Sequence, residues 1–120
     1  MTEILQIAQQ IQSKITLLEK GRLLLSERAD AKATTMGMYD KKLAVTIMKL
    51  KNGVEMTLED ETIKDPPTTI VDKIARGICY QEKIDMELAT AQYKNATEGL
   101  SCIQAELNGL QSKNKYLSEG

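Results

Sequence analysis

The chain has 120 residues, of which 42% are apolar but only 3% aromatic, with no Phe and no Trp. Leu, Ile, Met and Ala must then fill the core, which suits helices meeting along seams better than a sandwich or barrel. A formal net charge of -1 argues against a general nucleic-acid or membrane binder, and the lack of any histidine removes the commonest general base and metal ligand.

The first predicted element is a long helix over residues 1–52. One series of candidate seam positions is Ile4, Ile11, Leu18 and Leu25; a second is Ala8, Ile15, Arg22, Ala29, Met36, Leu43 and Leu50, both advancing by seven. That period marks a coiled-coil-like seam, and Asn52-Gly53 is its stop signal.

Over residues 53–67 the period changes. Val54, Met56 and Leu58 alternate with Glu55, Thr57 and Glu59, and Asp60-Glu61 can turn the chain into Thr62-Ile63-Lys64. The alternation predicts a short β-hairpin, with a disordered acidic loop as the alternative. Pro66-Pro67 closes the segment.

A second helical segment is predicted over residues 68–117. Thr69 and Asp72 fit a capping box, and Arg76-Gly77 is the place where the helix can break. Beyond it, Met86, Ala89, Tyr93, Ala96, Leu100, Ile103, Leu107, Leu110 and Leu117 follow one another at steps of three and four, with Asn114 at a seam position. Folding this segment back on the first pairs residues whose numbers add to about 122: Tyr39 with Lys83, Lys42 with Tyr80, Thr46 with Arg76, Lys49 with Lys73. Apolar residues off the seam, such as Leu5, Leu23, Leu24 and Met48, need further cover, and helix-interior Gly21, Gly99 and Gly109 point to close helix approach. The expected fold is mainly α: one domain, an antiparallel long-helix hairpin with a short β-hairpin insert. A homo-oligomer, dimer or higher, would complete a helical bundle.

Cys79 and Cys102 fall on one predicted helix, too far apart along its axis for a disulfide, and read as reduced, buried or half-buried hydrophobes. No secretion leader or membrane-length apolar run is visible, so a cytoplasmic location is expected. No phosphate-binding glycine loop or nucleophile–base set is present, and no enzyme activity, metal or cofactor is expected.

The local charge is segregated. Residues 41–51 carry Lys41, Lys42, Lys49 and Lys51 and no acid, while residues 55–65 carry Glu55, Glu59, Asp60, Glu61 and Asp65 against Lys64. By the pairing rule, Lys42, Lys49, Lys73, Arg76 and Tyr80 gather near the helix start at Thr69. Cations, a helix N-terminus and an aromatic face together suit a nucleotide-like anion. Ordinary solvated lysines, neutralised by the acidic segment, are the plainer reading of the same residues.

Tyr39-Asp40-Lys41-Lys42-Leu43-Ala44, Lys49-Leu50-Lys51-Asn52-Gly53, Pro66-Pro67-Thr68-Thr69-Ile70 and Lys73-Ile74-Ala75-Arg76-Gly77-Ile78-Cys79 resemble a family of small, mostly uncharacterised phage and prophage helical proteins of Gram-positive bacteria. Ala105-Glu106-Leu107-Asn108-Gly109-Leu110-Gln111-Ser112 is similar to the C-terminal segment of that family. The resemblance spans residues 39–117 and implies a viral accessory protein in the cytoplasm of a bacterial host; it brings no catalytic or ligand residues with it. Three functions follow as expectations. The first is a non-catalytic anti-defence inhibitor that sequesters a nucleotide-derived immune signal or blocks a host defence protein. The others are a recombination or replication accessory factor touching DNA or a protein, and a purely structural coiled-coil scaffold.

Overall fold

The structure, a computed structural model, describes residues 2–119. Helix α1 (Thr2–Lys51) leads to strands β1 (Met56–Leu58) and β2 (Glu61–Ile63). A 3-10 turn at Thr68–Ile70 then leads into helices α2 (Val71–Ile78) and α3 (Tyr80–Glu119). The fold is mainly α, with α1 and α3 packed antiparallel and a β-hairpin between them. The backbone divides into two compact units, Met1–Asp30 with Ala91–Gly120, and Ala31–Thr90.

In the first unit the register is close to the one predicted. Lys14 pairs with Glu106, Arg28 Nη1 donates to Gln92 Oε1 at 3.0 Å, and a Cβ on Gly21 would meet Leu100 Cδ1 at 2.8 Å. These pairs add to 120 or 121. Every seam position predicted on α3 in this unit, from Tyr93 through Asn114 to Leu117, is buried or half-buried, and the positions between them are exposed.

The α1 seam differs. Its sheltered residues here are Ile7, Ile11, Lys14, Ile15, Leu18, Gly21, Leu25, Arg28 and Ala29, while Ile4, Ala8 and Arg22 are exposed. The second seam series therefore runs through Ile7, Lys14, Gly21 and Arg28, one residue before the apolar series read from the sequence. Lys14 and Arg28 can occupy seam positions because their apolar stems lie along the groove and their heads find Glu106 and Gln92. Gly21 meets Leu100, but Gly99 and Gly109 face open space, so close approach accounts for only one of the three glycines.

The second unit is built on a core of Leu50, Val71 and Ala75, with Leu43, Ile47, Met56, Ile63, Ile74 and Ile78 packed around it. The end of α1 is a Schellman motif. Val54 N–H donates to Lys49 C=O at 3.0 Å and Gly53 N–H to Leu50 C=O at 3.3 Å. Gly53 takes the left-handed φ of +75° that the motif requires. The hairpin register pairs Met56 with Ile63 and Leu58 with Glu61. The turn is therefore Glu59-Asp60, one residue earlier than predicted, because that register puts Met56 and Ile63 together on the core side. Glu59 takes φ +54°, where a non-glycine side chain is strained.

The capping box does not form. Thr69 lies inside the 3-10 turn, which Ile70 N–H closes on Pro67 C=O at 3.0 Å; Ile70 becomes the N-cap of α2 and no side chain caps it. The second helical segment breaks just beyond Gly77, at Cys79, whose N–H still reaches Ala75 C=O. Past Tyr39 the α1 seam shifts phase to Leu43, Thr46 and Leu50, joining the second predicted series; Met36 of that series is exposed.

Among the described residues no helix is long and apolar enough to cross a membrane. The same residues include large apolar side chains left in solvent, among them Leu23, Met48, Tyr80 and Ile84. The fold leaves these for a partner or a further copy to cover.

Candidate functional site

The candidate site lies in the second unit, where α1, α2 and the first turn of α3 meet. The break at Cys79 turns the chain so that Arg76, near the end of α2, and Tyr80, at the start of α3, line one open groove. Tyr39 and Leu43 of α1 and Lys83 and Ile84 of α3 complete it, and its volume is ≈ 590 Å³. Tyr39 is buried at 9% exposure and Tyr80 stands out at 61%. Lys83 Nζ sits over the Tyr39 ring, 5.3 Å from its centroid, a cation–π contact. The same Nζ lies 3.6 Å from the Glu87 carboxylate one turn on.

Of the five residues read as an anion site, the structure brings Arg76 and Tyr80 to this groove. Lys42 turns to Glu82 instead, donating to Oε1 at 2.7 Å. That hydrogen bond holds the Glu82 carboxyl below its ordinary value and raises the Lys42 ammonium above its own. Lys49 and Lys73 are exposed and do not line the groove. The register explains the difference. Tyr39 and Lys83 add to 122, as predicted, but Lys42 and Glu82 add to 124 and Thr46 and Cys79 to 125. Lys83 and Glu82 both lie on α3, so the offset of two or three positions begins on α1, where the seam shifts phase past Tyr39.

Tyr39, Leu43, Lys83 and Ile84 are groove residues that the charge pattern did not single out. The pairing rule pointed to Tyr39 with Lys83, and the seam series to Leu43.

A second groove adjoins the first at Tyr80. Leu58, Glu59, Asp60 and Gly77 line it with Tyr80, and its volume is ≈ 790 Å³. Gly77 allows the hairpin to lie close, since a Cβ there would stand 3.2 Å from Leu58 Cδ2. Tyr80 thus separates a basic groove from an acidic one. Among the described residues, Arg76, Glu59 and Asp60 belong to no ion pair.

The groove presents a guanidinium, an ammonium and two phenol rings to whatever enters it. Cys79 is buried against Thr46, whose hydroxyl lies 3.6 Å from its sulfur, while Cys102 is exposed rather than buried or half-buried. Compared with known protein families, curated proteins and solved structures, the chain gives no match.

Proposed function

We propose that this is a non-catalytic phage accessory protein that acts by binding, an anti-defence inhibitor whose ligand is a nucleotide-derived immune signal. One observation carries the reading: Arg76 and Lys83 share a ≈ 590 Å³ groove with Tyr39 and Tyr80. A guanidinium matches a phosphate through paired N–H donors, and an exposed tyrosine offers a stacking face to a base. The groove is in the size range of small-ligand sites. Stoichiometric capture needs no catalytic group, consistent with the residues that line it. The phage origin rests on the resemblance over residues 39–117.

The test is calorimetric titration of the purified protein with cyclic dinucleotides and ADP-ribose derivatives. Binding at about one ligand per site, weakened at least tenfold by Arg76→Glu with helicity intact, is expected. No heat with any of these ligands would remove the nucleotide reading.

A second reading is that the protein blocks a host defence protein. It is favoured by the large apolar side chains exposed in the same unit, Met38, Val45, Met48 and Leu88, which suit a protein partner better than a small anion.

A further inference from the structure

Tyr80 is 61% exposed and Ile84 44% exposed. Tyr80 lines both grooves and so stands between charges of opposite sign, with Ile84 on the basic side. On one flank Glu59 and Asp60 occupy the hairpin turn, and on the other lie Arg76 and Lys83. Arg76, Glu59 and Asp60 have no ion-pair partner among the described residues.

A patch of this kind is complementary to itself. In a two-fold interface, residue i of one copy meets residue j of the other and j meets i. A rotation about an axis at Tyr80 therefore lays the acidic flank of each copy on the basic flank of its partner, twice over. Tyr80, common to both flanks, meets its own counterpart, and Ile84 on the basic side faces Leu58 of the second copy. Aromatic residues with Arg are the usual anchors of such contacts.

We propose that this patch is a homodimer interface, in which the Glu59-Asp60 turn of each copy docks on Arg76 and Lys83 of a second copy across a central Tyr80 pair. The strained φ of +54° at Glu59 holds the two acids at the tip of the turn. The interface does not depend on the nucleotide reading. The two are linked by competition, since the partner's carboxylates and a ligand phosphate would occupy the same cations.

The test uses the full chain without any nucleotide. Sedimentation and native mass spectrometry should find a dimer, and Arg76→Glu or Asp60→Lys, each placing like charges face to face at both contacts, should weaken it at least tenfold. Mixed in equal amounts, the two variants should recover a dimer containing one copy of each, because charge is then opposed at the contact that joins the reversed residues. Circular dichroism confirms that each variant is folded. A monomeric wild type, an assembly whose size neither reversal changes, or a mixture that fails to pair overturns the proposal. Nucleotide binding by a monomeric Asp60→Lys protein would then test the ligand reading separately.

Discussion

Lys42 Nζ donates to Glu82 Oε1 at 2.7 Å, while Glu82 Oε2 is buried with no hydrogen-bond partner among the described residues. Glu82 occupies a seam position, one heptad before Ala89, where an apolar side chain would be expected. A half-satisfied carboxylate on a seam contributes little net stability but disfavours other registers. Lys42→Met alone, which strands the carboxylate, should cost about 1–3 kcal/mol. Lys42→Met together with Glu82→Leu should be at least as stable as the natural sequence. Urea denaturation of the three proteins decides; a double variant weaker than the single one would refute the register argument.

The same pair sets a pH dependence. The Glu82 carboxyl is held below its ordinary value of 4.5, chiefly by the Lys42 hydrogen bond. Its contribution is therefore present above the unfolded value and is lost as pH falls through the lower native one. Lys42 is raised above 10.5 by the same bond, so its contribution is present below that value and is lost as pH rises through the higher native one. Thermal unfolding followed from about pH 7 to about pH 3 should show a smaller drop for Glu82→Gln than for the natural protein.

The α3 seam was legible because its positions are apolar or small without interruption from Met86 to Leu110. The first helix was harder. Lys14, Gly21, Arg28 and Thr35 hold one of its seam rows, and a reader of hydrophobicity passes over them to the apolar row one residue later. Burial of Lys14 and Arg28 depends on Glu106 and Gln92, far away in sequence. The same limit applies to the candidate site. Tyr39 and Lys83 followed from the pairing rule, but the phase shift of the α1 seam past Tyr39 changes the register beyond them. Only Arg76 and Tyr80 of the five expected residues line the groove for that reason.

Gly53 ends α1 with φ +75°, and a Cβ there would stand 2.9 Å from Asp65 Oδ1. Gly53→Ala meets both the left-handed backbone penalty and this contact, and should destabilise by about 1–2 kcal/mol. Gly37, with nothing within 4 Å of its Cβ position, is the control. Gly37→Ala in mid-helix should stabilise by about 0.5–1 kcal/mol. Equal effects at the two positions, measured by thermal melts, would contradict the assigned Schellman motif.

Leu50 is 1% exposed in the Val71–Ala75 cluster, whereas Leu23 is 70% exposed. Leu50→Ala removes buried surface and leaves a cavity, at a cost of about 2–5 kcal/mol. Leu23→Ala should change stability by no more than about 0.5 kcal/mol. Should Leu23→Ala prove as costly as Leu50→Ala, Leu23 must be covered in solution, and sedimentation of that variant would show whether a second copy is what covers it.

The Cys79 thiol reports on the second unit directly, with Cys102 of the first unit as its exposed reference. Cys79 is fully buried between α2 and α3, and Cys102 is exposed on α3. A brief pulse of iodoacetamide on the native protein should add one carbamidomethyl group, at Cys102, and the same pulse in denaturant should add two. Protection of Cys79 should fall in Thr46→Ala, which removes the hydroxyl 3.6 Å from its sulfur and leaves a void beside the helix break. Rates of labelling at Cys79 across a urea series then measure how readily this junction opens, since a buried thiol reacts only through the open state. If Cys79 labels as fast as Cys102 in the native protein, the junction that positions Arg76 and Tyr80 is open in solution, and the groove between them is lost with it.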